Sequence, residues 1–263
     1  MALDKRLHTK TISTSPRGFY EAEALGLEFL RETGGARVVE VAEYSESKLV
    51  LEFISSSTPN AQSAWNFGRM LALTHSKKEK YFGITPSKYS YYGPLDDPLN
   101  AVYKKTALYH DYVENRLKQM TDACLMRKKI TRSEVLKIED CVMSYLETAP
   151  EEFLNELPSR VHGDLWSGNL MWTTNSSGEV EGVLIDPAAH TGHREEDLAM
   201  LSLFGVQYFE KILEGYNSQY PLTSGFRARF DLHNIYPLLA HVAFYDRSYL
   251  SQVYSILEAL SVR

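Results

Sequence analysis

Arg160-Val-His-Gly-Asp-Leu-Trp-Ser-Gly-Asn-Leu170, followed by Gly182-Val-Leu-Ile-Asp-Pro187, is the stretch around which the rest of the chain is organised. Asp164 stands five residues before Asn169, and Asp186 closes an apolar run. Taken singly, His-Gly-Asp reads as a turn, and Leu184-Ile-Asp186 as a strand end whose Asp caps the next segment. Taken in order, at loop, strand and loop positions, they offer one carboxylate able to accept a proton and two oxygen donors for a hard divalent cation. Those are the parts that phosphoryl transfer needs, since its catalysis is mostly positioning and charge neutralisation.

The Asp164-to-Asn169 spacing equals that of the kinase catalytic loop, where Asp is the base and Asn a metal ligand. Asp186 occupies the place of the second metal-binding Asp. His162-Gly-Asp-Leu-Trp-Ser-Gly-Asn169 together with Asp186-Pro-Ala-Ala-His-Thr-Gly-His-Arg-Glu-Glu-Asp-Leu-Ala-Met200 resembles the fructosamine kinase (ketosamine-3-kinase) family. That family is related to aminoglycoside phosphotransferases and choline kinases and shares the protein-kinase-like fold. The resemblance runs from about Lys10 to near the end of the chain.

The resemblance implies an α+β, two-lobe architecture. A small N-lobe of antiparallel sheet plus one helix would occupy residues 1–54 and bind nucleotide. A mainly helical C-lobe, residues 55–263, would carry the catalytic loop and the acceptor site. ATP and Mg²⁺ are the implied cofactors, and the acceptor is a small molecule, the O3′ hydroxyl of a ketosamine. By the same resemblance Asp164 is the catalytic base, and Asn169 and Asp186 hold the metal. Lys10 contacts the α/β-phosphates and is steadied by Glu23, with Glu21 as the alternative. The backbone of Glu52, Phe53 and Ile54 hydrogen-bonds adenine. His162 locks the loop, Asp197 is a structural cap, and Trp166, His193 and Arg194 are acceptor-contact candidates.

Family members carry a Gly-containing hairpin over the phosphates before the lysine strand, whereas here Met1 lies nine residues before Lys10. The expectation is therefore a truncated N-lobe. Its lost amide donors would each cost roughly 1.5–3 kcal/mol of phosphate binding. The family's tryptophan-bearing acceptor segment is also poorly matched. Two alternatives stand beside an active ketosamine kinase: another phosphotransferase of the aminoglycoside or choline kinase type, and a non-catalytic pseudokinase.

At 263 residues the chain can bury a substantial core as one domain or two. A net charge of −6 argues against a nucleic-acid partner, which would call for a basic field. The two cysteines, Cys124 and Cys141, form no metal or disulfide pattern and fit a reducing cytoplasm. No apolar run of about 18 residues predicts a membrane span. No feature of the sequence sets an oligomeric state.

Along the chain, residues 1–12 read as a strand with Leu7, Thr9 and Thr11 on one face and Lys10 on the other. Helical spacing runs from about Phe19 to Glu32, and strands fit Val38–Ala42 and Lys48–Ile54. A helix carrying Ala61 to His75 follows, with His75 read as structural. Residues 76–100 form a Tyr-rich loop in which Tyr89, Tyr91 and Tyr92 either line the acceptor site or pack the loop. Two long helices come next, the second opened by the capping box Thr131-Arg-Ser-Glu134. A hairpin turned at Asn175-Ser-Ser-Gly178 precedes a helical C-terminal part, whose last helices fit Asp231–His241 and Tyr249–Leu260.

Overall fold

In the computed structural model, which describes residues 6–12, 15–94 and 96–262, strand β1 (Leu7–Lys10) is the first element. Residues 1–5 of the expected strand, and Ser13 and Thr14 of the turn after it, lie outside the described residues. Helix α1 (Phe19–Arg31) buries Tyr20, Ala24, Leu27 and Leu30, a spacing that puts one stripe on the core. Strands β2 (Arg37–Val38), β3 (Val41–Tyr44) and β4 (Leu49–Glu52) follow, and β4 pairs antiparallel with both β1 and β3. Register places Lys10 opposite Leu49 and His8 opposite Leu51. Leu49 and Leu51 are buried in the same core as the α1 stripe. Lys10 therefore looks toward α1, and Leu7, on the opposite face, stays 54 % exposed instead of filling a core.

The expected strand Val38–Ala42 is divided. Val38 belongs to β2, whose partner is β9 (Val180–Leu184), running parallel to it from the other half of the chain. β9 in turn forms the expected hairpin with β8 (Leu170–Thr174), closed by Asn175, whose Oδ1 accepts the amides of Ser177 and Glu179.

Helix α2 (Ala61–Ser76) opens on a reciprocal capping box between Asn60 and Ser63. Gly68 on α2 and Gly215 on α7 (Phe209–Gln219) let the two backbones touch. A Cβ at Gly68 would collide with Ile212 O, and one at Gly215 with Trp65 O. Within the Tyr-rich loop, β5 (Tyr91–Tyr92) and β6 (Leu99–Asn100) form a short hairpin. Helices α3 (Tyr109–Met126), α4 (Arg132–Thr148), α8 (Phe226–Phe244) and α9 (Leu250–Ser261) build the second core, with Met120, Val135, Ile138, Leu239 and Val253 fully buried. Helix α8 begins five residues before the expected Asp231, because Gly225 (φ +80°) starts it. The capping box at Thr131 and Glu134 forms as read.

Between the cores run α5 (Glu151–Leu154), β7 (Ser159–Val161), β10 (His190–Gly192) and α6 (Glu195–Leu203), with β7 and β10 antiparallel. That pair and the β8–β9 hairpin flank the loop that carries Asp164. Among the described residues no helix is long and apolar enough to cross a membrane.

Candidate active site

The loop leaving β7 turns at Gly163 (φ +79°), where a side chain would strike Ala188 O, so glycine is required on two counts. Its backbone is held by Asp197 on α6. The Asp197 carboxylate accepts the amides of His162 (2.7 Å) and Gly163 (2.9 Å) and also meets His75 Nε2 at 3.1 Å. Burial opposes the charge on Asp197, but His75 and the His162 amide outweigh it and hold its pKa below the ordinary value. The expected structural roles of Asp197 and His75 are thus joined in one contact, and Tyr216 OH, 2.9 Å from His75 Nδ1, completes it.

His162 accepts the Asp164 amide at Nδ1 (3.3 Å) and donates from Nε2 to Ile185 O (2.8 Å). One neutral tautomer satisfies both contacts, and burial lowers the imidazole pKa accordingly. His162 thereby ties the Asp164 loop to the segment ending in Asp186.

Asn169 lies in a single 3-10 turn (Ser167–Asn169). Its Nδ2 faces three oxygens: Asp164 O at 2.8 Å, Asp164 Oδ2 at 3.1 Å and Asp186 O at 3.4 Å. Each of those oxygens accepts, so the amide nitrogen must face them and Oδ1 must face away. Asp186 adopts φ +54°, a left-handed conformation that Asp tolerates better than most residues. Lys10 Nζ bridges Asp186 Oδ1 (2.5 Å) and Glu23 Oε1 (2.8 Å). The partner of Lys10 is thus Glu23, one α1 position where Glu21 had been the alternative.

Burial pulls the Lys10 pKa down, yet Glu23 and Asp186 more than reverse this and raise it. Glu23 is pushed up to about 7 by burial, against the opposing pull of Lys10. Burial also pushes Asp164 up to about 8, opposed by the Asn169 hydrogen bond and reinforced by the charges of Asp186 and Asp197. By surface Asp164 is only partly buried, because one side of it opens to a cavity.

Lys10, Glu23, Asp164, Asn169 and Asp186 all line this cavity of about 640 Å³. Tyr89, Tyr91 and Tyr92 form its wall, Tyr91 OH donating to Arg17 O at 2.8 Å. Trp166, 43 % exposed, also lines the cavity. His193 and Arg194 do not line the cavity. Both are buried, with Arg194 Nε 2.6 Å from Glu156 and His193 stacked on His233. The turn before α6 directs both inward, away from the cavity.

Glu52, Phe53 and Ile54 also lie off the cavity lining. The Glu52 carboxylate pairs with Arg37 at 2.5 Å, its amide donates to Glu40 O, and the Phe53 amide donates to Arg6 O. Ile54 is buried in the core. The same cavity is also lined by Phe204, His241, Phe244, Tyr245 and Tyr249, residues that the sequence reading did not single out. His241, Phe244 and Tyr245 share one helical face by spacing, but without a partner element that pattern reads as core.

A family model described as fructosamine kinase matches residues 3–262. A Vibrio parahaemolyticus protein provisionally named a ketoamine kinase is 30% identical over 239 residues, covering 89% of this chain and 77% of its own. The chloroplastic protein-ribulosamine 3-kinase of Arabidopsis thaliana is 28% identical, covering 95% of this chain and 74% of its own. The crystal structure of a Thermobifida fusca protein, provisionally named fructosamine-3-kinase, superposes with a TM-score of 0.86 at 32% identity, covering 98% of this chain and 86% of that one. Choline kinase and aminoglycoside phosphotransferase structures at 13–15% identity, with TM-scores of 0.57–0.63, share the protein-kinase-like fold.

Proposed function

The chain belongs to the fructosamine kinase family, a family of ATP-dependent phosphotransferases, and on that footing we propose that it phosphorylates the O3′ hydroxyl of a ketosamine. The observation that carries the reading is the meeting of Asp164, Asn169 and Asp186 with the Lys10–Glu23 pair on the lining of one cavity. In this reading Asp164 orients the acceptor hydroxyl and takes its proton as the oxygen attacks the γ-phosphorus of ATP. Its raised pKa suits a proton acceptor. Lys10 neutralises the α/β-phosphate oxygens, and Glu23 fixes its reach.

The donor set fits Mg²⁺. Asn169 Oδ1 and Asp186 Oδ2 are hard oxygens, and no hydrogen bond among the described residues uses either. Asn169 and Asp186 would hold the ion, which when bound supplies charge neutralisation at the phosphates. Residues 1–54 form the nucleotide side in this proposal, and residues 55–263 form the acceptor side. Two unpaired thiols, Cys124 and Cys141, fit a reducing compartment such as the cytoplasm.

The test is product identification. With ATP and Mg²⁺, fructosyl-lysine and ribulosyl-lysine should give a 3-phosphate assignable by ³¹P and ¹³C NMR, whereas choline and aminoglycosides should give none. Phosphorylation of choline or an aminoglycoside in place of both ketosamines would overturn the substrate class.

A further inference from the structure

Two chemically different sets of residues line the cavity. One set holds three carboxylates, Glu23, Asp164 and Asp186. Lys10 is the one cation of the Lys or Arg type that lines the cavity among the described residues, and that ammonium is already bridged between Glu23 and Asp186. In the other set His241 stands within a collar of rings, with centroid distances of 4.7 Å to Phe204, 4.9 Å to Tyr249 and 5.4 Å to Tyr245. Phe204 is 38 % exposed and Tyr245 56 %, a concentration of large exposed rings at one cavity mouth. His241 Nδ1 lies 2.8 Å from Pro237 O and, since a carbonyl only accepts, must donate to it. In the neutral ring this leaves Nε2 as a lone-pair acceptor, and no hydrogen bond among the described residues uses it.

We propose that Phe204, His241, Tyr245 and Tyr249 form the subsite for the amine half of the acceptor and take it as a cation. This rests on the ketosamine reading above. A ketosamine carries a secondary amine that is protonated near neutral pH. Ring faces attract a cation, His241 Nε2 accepts one of its N–H bonds, and the carboxylate-rich cavity adds a favourable field. A carboxylate attached close to that amine meets the opposite conditions: ring faces, negative charge and no free cation to pair with. The subsite therefore favours amines whose nearest substituents are apolar or aromatic, and disfavours those bearing a carboxylate beside the nitrogen.

The experiment compares three acceptors with the same sugar: the fructosyl adduct of benzylamine, its N-acetyl form, which lacks the cation, and the fructosyl adduct of glycine. Steady-state kinetics at saturating ATP and Mg²⁺ should give the benzylamine adduct a kcat/KM on the order of tenfold above each of the others, carried by KM. Tyr245→Arg puts a guanidinium at the collar and should shift the ratio toward the glycine adduct by a similar factor. Because Tyr245 is 56 % exposed, this variant should unfold at the wild-type temperature. Equal kcat/KM for the three adducts, or a ratio untouched by Tyr245→Arg, overturns the subsite. Turnover of none of them, with ATP still bound, overturns the ketosamine reading and the subsite with it.

Discussion

Asp197→Asn should loosen the catalytic loop without removing any group that faces the cavity. The carboxylate accepts the His162 amide at 2.7 Å, the Gly163 amide at 2.9 Å and meets His75 Nε2 at 3.1 Å, all in a buried setting. Oδ2 serves His162 and His75, and Oδ1 serves Gly163. An asparagine has only one acceptor oxygen, so in either orientation its NH₂ group faces at least one backbone N–H. Leaving a buried donor unpaired costs about 1–3 kcal/mol, and the bonds that remain lose their charge assistance, so the total is roughly 3 kcal/mol. For a chain of this size that is about 6–12 °C in Tm. Scanning calorimetry measures the shift, and radiolabelled phosphate transfer measures activity. Since His162 and Gly163 immediately precede Asp164, kcat should fall at least tenfold while the Kd for ATP changes less than threefold. A Tm within 2 °C of wild type with unaltered kcat would refute the reasoning, because the loop would then not depend on this anchor.

Gly68→Ala should force α2 from α7, since the new Cβ meets backbone oxygen and not a flexible side chain. A loss of about 1–3 kcal/mol or more is expected by urea unfolding. Glu23→Gln should weaken ATP binding several-fold by calorimetry, because Lys10 loses one of its two carboxylates, whereas Glu21→Gln should stay within twofold. Acid stability should depend on Glu195: burial opposes its charge, but His233, His193 and Arg229 hold it down to about 2 from an ordinary 4.5. A carboxylate depressed on folding contributes stability that is complete above the unfolded pKa and lost as pH falls through the folded one. Roughly 3 kcal/mol should therefore disappear between about pH 4.5 and pH 2, and Glu195→Gln should flatten that part of the Tm profile.

The loop around Asp164 was legible because its chemistry is local. Asp164 and Asn169 lie in the loop entering one hairpin and Asp186 just past its second strand, so the hairpin itself brings them together. Glu23 was legible through resemblance, and its helix stripe through spacing. What sequence could not supply was partnership across the chain. Val38 reads as part of one strand with Val41, yet β2 pairs with β9, about 145 residues on, and local pattern carries no information about that choice. Leu7 falls on the face opposite Lys10 as read, but alternation fixes which residues share a face, not which face the helix covers, and that of Leu7 is left exposed. His193 and Arg194 read as acceptor contacts because they adjoin a site motif, but the turn before α6 sends both toward Glu156. The collar was invisible for the opposite reason. Phe204 and His241 end different helices, and only the packing of α6 on α8 joins them.

In the proposed mechanism Asn169 and Asp186 hold the metal with which ATP binds, while Asp164 serves the acceptor. Calorimetric titration of ATP into wild type, Asp186→Ala and Asp164→Asn, each with and without Mg²⁺, tests it most directly. Wild type should bind with an affinity that depends on Mg²⁺, Asp186→Ala should lose at least tenfold of it, and Asp164→Asn should still bind while transferring no phosphate. Absence of binding at millimolar ATP in wild type, or binding indifferent to both Mg²⁺ and Asp186, would contradict the account.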